Sequence, residues 1–214
     1  MYEKQLLDKG VIRPKPVDSM IEMDPKEYIV SITDEKGFIT YANDYFVDIS
    51  WYKKEELIGS PHNILRHPDM PKAAFKLVWD NIKQGNSIFA LVKNLAKDGK
   101  YYWVVSEIEP LKNSKTGIID SYIAYRKAAS PKMIAAIEPI YKEMIEIEKT
   151  DAGVEGSTKY LLDLLEKNKT TYPKFINKVI GNSGIFKLFF IGMKKIFKMK
   201  VLKELGYWFS INLI

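Results

Sequence analysis

Both histidines of the chain lie in one fifteen-residue segment, residues 61–75, which reads PHNILRHPDMPKAAF. The same segment holds Arg66, Asp69 and three of the ten prolines. Because proline fixes φ and removes a backbone donor, we expect a stiff, non-helical path here until a helix begins near Pro71. A stiff loop that carries a guanidinium, an imidazole and a carboxylate is suited to holding a polar ligand. The alternative is a surface turn, and in either case Asp69 is expected to cap the following helix.

Strand-like segments lie on both sides of this loop. YIVSIT (28–33) and FITYA (38–42) flank the turn residues 34–37 and predict a hairpin, after which Asn43 or Asp44 can cap a short helix. Residues 71–83 have helical spacing, and SIFALVKNL, YYWVVSEIEPL and IIDSYIAYR follow as strands joined by short turns. The order predicts an α+β domain, a five-stranded antiparallel sheet with helices on one face, followed by a helical C-terminal extension.

Composition and charge narrow the function classes. The chain contains no cysteine, which excludes disulfides, thiolate nucleophiles and iron–sulfur clusters. Basic and acidic residues balance at 22 each in residues 1–150, whereas the remaining 64 residues hold 11 lysines and 5 acids. No export signal is visible at the N-terminus, so a cytoplasmic location is expected. Nucleic acid is not an expected partner, because the C-terminal aromatic residues cluster with aliphatic ones and are not interleaved with arginine.

We divide the chain into an N-terminal cap (1–26), the α+β domain (27–127), a connecting helix (128–150) and a basic amphipathic helical extension (159–214). Ser130 and Pro131 open the connecting helix, which either leads to a partner or covers the open side of the sheet. Residues 151–158, DAGVEGST, are the best candidate linker. The apolar run 188–193 is too short to span a bilayer. Residues 185–203 are expected to pack on protein or to lie peripherally at the inner face of the membrane.

The motifs within residues 28–127 resemble those of one known family. They resemble the PAS domain of bacterial aerotaxis and energy-taxis receptors. The matching segments are the 34–37 hairpin with YAND (41–44), EELIGSPHNILRHPDMPKAAF (55–75), Trp79, VKN (92–94) and DGKYYWV (98–104). One position departs from the family pattern, because Ile88-Phe89-Ala90 stands where Trp-Ser-Gly is usual. The missing Trp removes an aromatic surface, and Phe89 would point to the opposite face of a regular strand.

The resemblance implies a noncovalently bound FAD that reports respiratory redox state and a signal passed to a methyl-accepting-type receptor or transducer. The cofactor-associated positions that it implies are Asn43, Arg66, His67, Asp69, Phe75, Trp79 and Asn94. A homodimer through the PAS domain or the N-terminal cap is compatible with it.

The chemistry of these residue types favours the same cofactor. Arg66 offers a planar fork of donors for phosphate oxygens, and Asn94 can both donate to and accept from a flavin ring edge. His67 could hydrogen-bond either the flavin ring or the phosphate region. Structural alternatives stay open: Trp79 as core packing, and Asn43 as a helix cap first.

Other functions remain as alternatives at this stage. Haem held by His67 or His62 is the second cofactor considered, and a cofactor-free PAS interaction module is the third. Blue-light adduct chemistry is excluded because it needs a thiol. Dinucleotide, phosphate-loop and nucleophile-elbow motifs are absent from the sequence, so we do not expect an enzyme.

Overall fold

The computed structural model describes residues 13–113, 115–181, 190–192 and 194–195. Its strands are β1 Ile29–Asp34, β2 Ile39–Ala42, β3 Ile88–Leu95, β4 Tyr101–Lys112 and β5 Ile119–Ala128. Its helices are α1 Asp44–Ser50, α2 Lys54–Leu57, a 3-10 helix His62–Leu65, α3 Lys72–Lys83, α4 Pro131–Glu148, α5 Gly153–Lys167 and α6 Tyr172–Ile180.

The strands form one antiparallel sheet in the order β2-β1-β5-β4-β3. Side chains alternate between the two faces of each strand, and the register places Asn94 opposite Tyr102 and Ser106 opposite Arg126. These four residues therefore share one face, which α1–α3 cover. The predicted α+β fold with a five-stranded antiparallel sheet is confirmed.

Two predicted helix caps have different outcomes. The side chain of Asn43 accepts from Phe46 N at 3.3 Å, so Asn43 caps α1 as expected. The prediction that Asp69 caps α3 is wrong, because Pro71 occupies the cap position and no side chain at that position bonds the helix. The Asp69 carboxylate instead lies 2.6 Å from the buried ammonium of Lys93. A buried cation needs a counter-charge, and the first turn of α3 has its acceptor in Glu148 instead.

The helices after the sheet fold back onto it. Ser130 caps α4 as predicted, accepting from Met133 N at 3.4 Å. The Tyr141 hydroxyl then donates to Leu91 O at 2.9 Å, and its ring stacks on Trp103 with centroids 6.3 Å apart. Trp103 alternates with the cavity-facing residues of β4, so α4 covers the opposite face of the sheet. Of the two interpretations for this helix, the structure supports the covering one.

The interruption predicted at residues 151–158 is also wrong. Helix α5 begins at Gly153, so only a short turn separates it from α4. Leu161 and Leu165 recur at helical spacing and are buried, and Ser157 lies on the same buried stripe. Packing of this apolar stripe overrides the low helix propensity of the glycines and threonine that suggested a linker.

Most of residues 185–203 lie outside the described residues. Among those described, the Phe190 ring meets Phe89 edge-on at 5.6 Å, on the face of the sheet opposite the cavity. Lys194 pairs with Glu107 at 2.5 Å and also with Glu109. None of the helices in the described part of the chain is long and apolar enough to cross a membrane.

Candidate functional site

A cavity of about 330 Å³ lies between α3, the 3-10 helix and the sheet. Its size is at the lower end of the range for ligand pockets, roughly 300 to 1,000 Å³. The sheet contributes alternate residues of β1, β3, β4 and β5, the ones whose side chains lie on one face. Helix α3 contributes an aromatic and aliphatic wall. The strand pleat and the helix period together place these side chains around one space.

A buried polar cluster occupies the sheet side of the cavity. Arg126 Nη1 donates to the Ser31 hydroxyl at 2.9 Å, and Arg126 Nη2 lies 2.9 Å from His62 Nε2. The Ser31 hydroxyl is 3.2 Å from the same imidazole nitrogen. Burial and, to a lesser extent, the Arg126 charge together lower the pKa of His62 to about 3. His62 is therefore neutral at physiological pH and accepts at Nε2.

The guanidinium of Arg126 is a buried positive charge. Burial lowers the pKa of Arg126 to about 10, which still leaves it protonated at neutral pH. Among the described residues, no carboxylate lines the cavity or pairs with Arg126. Buried charges in proteins are normally paired, so this cation is suited to a ligand that brings or develops negative charge.

Two further polar atoms of the cavity lining lack partners within the described part of the chain. They are the Ser106 hydroxyl and the Asn63 side-chain oxygen, both buried. Buried polar groups are hydrogen-bonded in the great majority of cases. The cavity thus offers one free hydroxyl and one free acceptor beside a cation, which fits a ligand with its own donors and acceptors.

Arg66 lies at the loop side of the same cavity. Its Nη2 donates to Met70 O at 2.7 Å, and its guanidinium lies 4.9 Å from the centre of the Phe75 ring. The backbone of Arg66 bridges to Asn94 on β3, which attaches the loop to the sheet edge. Arg13 donates to Asn63 O and, at 3.3 Å, to Arg66 O, so the N-terminal segment also holds this loop.

The aromatic wall is formed by α3 and β5. Trp79 meets Tyr122 edge-on with ring centroids 5.4 Å apart, and both line the cavity with Phe75. Gly37 approaches the Trp79 ring so closely that a Cβ there would be 3.0 Å from it. A flat apolar surface bounded by such rings suits a planar ring system.

The seven predicted site residues separate into two groups. Arg66, Phe75, Trp79 and Asn94 line the cavity together. The other three, Asn43, His67 and Asp69, do not line it within the described part of the chain.

Asn43 has a structural role that the structure shows directly. Besides capping α1, its side chain accepts from Val30 N and donates to Tyr28 O, each at 2.9 Å. It therefore joins the start of α1 to the start of β1. The sequence-based alternative of a cap is confirmed, while a contact with the cofactor stays a prediction.

His67 and Asp69 face the edge of β3. The His67 Nδ1 accepts from Asp69 N at 3.1 Å, and its ring meets Tyr101 edge-on at 5.7 Å. Burial and the nearby charge of Lys93 together lower the pKa of His67 to about 4, although the Asp69 charge opposes them. Partial burial raises the pKa of Asp69, but its hydrogen bond with Lys93 lowers it to below its usual value. These side chains hold the loop in place beside the cavity.

Sequence reasoning missed most of the polar cluster. Arg126 and Ser31 were assigned only to strands, and His62 was considered only for haem. Alternation was the available signal, since Tyr122, Ala124 and Arg126 must share a face. That face could be recognised as the ligand side only once Asn94 had been paired across the sheet.

A metal or haem centre finds little support in these contacts. No group of three or more metal-ligating side chains occurs among the described residues. The Nε2 of His62 already faces a guanidinium at 2.9 Å, and His67 does not line the cavity. A cation beside the coordinating nitrogen disfavours a second positive centre there.

Comparison with known proteins identifies the fold family. Residues 39–126 match the family model described as the PAS fold, so this part of the chain is a PAS domain. Over 116 residues the chain is 45% identical to the aerotaxis receptor of Escherichia coli (strain K12), covering 54% of this chain and 22% of that receptor. The predicted resemblance to aerotaxis PAS domains is confirmed.

More distant similarities extend the comparison. The chain is 27% identical over 110 residues to the bacterioopsin transcriptional activator of Halobacterium salinarum, covering 51% of this chain and 16% of that protein. A light-oxygen-voltage domain studied with a flavin analogue has a TM-score of 0.48 at 21% identity, covering 55% of this chain and 89% of that one. The chain thus spans only 22% and 16% of the two curated relatives named here.

Proposed function

We propose that this protein is a redox sensor that holds FAD noncovalently in the PAS cavity and signals to a separate chemotaxis-type transducer. One observation carries the proposal: an aromatic-walled cavity presents two guanidinium groups and no carboxylate within the described residues. The similarity to an aerotaxis receptor supports the same function. Flavin supplies reversible electron and proton uptake when it is bound.

The residues of the cavity have distinct roles in this proposal. Arg66 supplies charge and donors for phosphate oxygens at the loop side. Asn94, with the hydroxyls of Ser31 and Ser106, provides hydrogen bonds for a ring edge. Arg126 provides a fixed positive charge that favours an added negative charge nearby. A change in ring-edge hydrogen bonding would then reorient Asn94 or its neighbours on the sheet, which is the signal.

The output in this proposal is a contact with another protein. A methyl-accepting-type receptor or transducer in the cytoplasm is the partner class that the resemblance implies. Useful coupling between cofactor state and partner contact is about 1 to 3 kcal/mol, which a few rearranged hydrogen bonds can supply. No large domain motion is required.

The test is the cofactor content of the purified full chain. We expect a yellow protein whose flavin is released intact on denaturation and runs with FAD in chromatography. Arg66→Ala and Asn94→Ala should lower the flavin-to-protein ratio, whereas Lys159→Ala, an exposed position on α5, should leave it unchanged. A red protein with a Soret band would establish haem instead. A colourless protein that takes up neither cofactor would overturn the proposal in favour of an interaction module.

A further inference from the structure

The first turn of α3 is capped by a residue 75 to 76 positions away in sequence. Glu148, the last residue of α4, accepts from Lys72 N through Oε2 and from Ala73 N through Oε1, each at 2.8 Å. These amides belong to the first turn of a helix, where backbone donors have no partner within the helix. The carboxylate satisfies two of them at once.

Helix α3 has no local substitute for this carboxylate. Its cap residue, Pro71, makes no side-chain hydrogen bond, and the first turn contains no acidic residue. A negative charge at a helix N-terminus is favourable because backbone dipoles make that end positive. The first turn of α3 therefore depends on a residue of α4 for its cap.

The capped helix is the wall of the cavity. Phe75, Val78, Trp79 and Ile82 all project from α3 into the lining. The carboxylate also acts on the loop cation: burial lowers the pKa of Arg66, and the charge of Glu148 partly offsets that shift by raising it. Glu148 thus touches the wall and influences the cation while not lining the cavity itself.

The helix that carries Glu148 is fixed to the sheet and to the extension. Tyr141, two turns earlier on α4, donates to Leu91 O on β3. Helix α5 packs against both α4 and α3. A shift of the α4–α5 pair must therefore carry the first turn of α3 with it, unless the two hydrogen bonds to the Glu148 carboxylate break.

We propose that Glu148 is a positioning residue that sets α3 against the cavity and couples the α4–α5 helix pair to it. Occupancy of the cavity and the position of the helix pair then influence each other reciprocally, as linkage requires. The coupling to flavin rests on the proposed function, whereas the positioning of α3 does not.

The test compares Glu148→Gln with Glu146→Gln in the full chain. Glu146 is on the same helix and pairs with exposed Lys149, so its substitution controls for charge loss on α4. Glu148→Gln keeps the shape of the side chain but loses the charge and one acceptor oxygen. Unchanged far-ultraviolet circular dichroism establishes that both variants are folded.

Two readouts need no cofactor. In Glu148→Gln we expect amide exchange at Lys72 and Ala73 to rise about tenfold, as loss of a helix cap predicts. The indole N–H resonance of Trp79, assigned with Trp79→Phe, should shift in Glu148→Gln and stay in place in Glu146→Gln. Unaltered exchange, or an indole resonance that does not move, would overturn the positioning role.

A third readout addresses the coupling. Release of FAD from Glu148→Gln should be about fivefold faster or more, the lower end of usual coupling strengths, and unchanged in Glu146→Gln. Altered exchange and indole shift with unchanged release would refute the coupling and keep the cap. A wild-type protein that binds no flavin would refute the proposed function and the flavin coupling, while the exchange and indole readouts still decide the positioning.

Discussion

Nη2 of Arg126 lies 2.9 Å from Nε2 of His62, inside a cavity in which the described residues offer no carboxylate. The imidazole can only accept from the guanidinium when it is neutral, so protonation would place two cations in contact. His62 also stacks on Phe46 with ring centroids 5.9 Å apart. This pair makes the cavity both cationic and sensitive to acid.

Acid should destabilise the protein through its two histidines. The pKa of His62 is about 3 in the folded protein and near 6.5 when unfolded, so the unfolded state binds more protons between these values. Stability therefore rises with pH from about 3 to 6.5 and is level above that. We expect the protonation linked to His62 alone to lower the free energy of unfolding by about 2 kcal/mol between pH 7 and pH 5.

Urea unfolding of the cofactor-free protein at pH 7, 6, 5 and 4 measures this loss. His62→Gln cannot titrate, so its stability should fall less steeply over the same range. His67→Gln should show a similar but separate effect, because the pKa of His67 is also low, at about 4. Equal acid slopes in wild type and His62→Gln would contradict the assignment.

Replacing Arg126 should separate stability from cofactor chemistry. Arg126→Met removes a buried charge that no carboxylate of the described residues pairs with, and replacing buried charged groups by apolar ones is often neutral or stabilising by about 1 to 4 kcal/mol. The cofactor-free variant should thus unfold at equal or higher urea concentration than wild type.

The same variant should bind flavin less favourably in its reduced form. Loss of the cation should lower the midpoint potential by tens of millivolts, since about 30 mV corresponds to 1.4 kcal/mol for a two-electron couple. Arg126→Lys keeps the charge and is the matched control. A potential that is the same in Arg126→Met and wild type would show that the guanidinium does not act on the ring.

The sequence was sufficient to predict the strands of the sheet, but not which side chains of the loop face the cavity. Alternation, turn residues and short connections determine the five strands, because these signals are local. Whether His67 faces the cavity depends on which way a loop turns at the sheet edge. That direction is set by the pairing of Asp69 with Lys93, which are 24 residues apart. Long-range pairing of this kind leaves no periodic trace in the sequence.

The cap of α3 illustrates the same limit. Asp69 was the local candidate, and Glu148 was the actual partner because α4 folds back across the edge of the sheet. The linker predicted at 151–158 failed for a related reason, since the buried stripe of α5 outweighs its local composition. Arg66, Phe75, Trp79 and Asn94, by contrast, were predicted from the motifs that carry the family resemblance and line one cavity, while their contact with a cofactor stays a prediction.

The ion pair of Asp69 and Lys93 should anchor the loop in an asymmetric way. Lys93 is buried and lies 4.2 Å from the centre of the Tyr101 ring, whereas the Asp69 side chain is 59% exposed. Asp69→Asn would leave a buried ammonium without its counter-charge, so it should lower the free energy of unfolding by about 1 to 3 kcal/mol. Lys93→Met removes the buried charge and should cost less.

A double-mutant cycle in urea tests this asymmetry. The variant with both substitutions should be no less stable than Asp69→Asn alone, because the stranded charge is gone. Strictly additive losses would show that the two side chains do not interact. Lys76 and Asp80, an exposed pair on α3, provide a control cycle with a coupling of at most about 0.5 kcal/mol.

Gly37 should be required for the position of Trp79 and not only for its turn. Gly37 has φ of +87° and Gly117 has φ of +70°, so an alanine at either position adopts the left-handed region. Each should cost about 1 to 2 kcal/mol for that reason. At Gly117 no heavy atom of the described residues beyond its chain neighbours lies within 4 Å of the added Cβ, whereas at Gly37 the Trp79 ring is 3.0 Å away. Gly37→Ala should therefore lower the free energy of unfolding by about 1 kcal/mol or more beyond the effect of Gly117→Ala, as overpacking does.

Gly37→Ala should also move the Trp79 indole resonance, which Gly117→Ala should leave in place. Equal stability losses with an unmoved resonance would show that the ring yields freely, and the cavity wall would then be softer than its packing indicates.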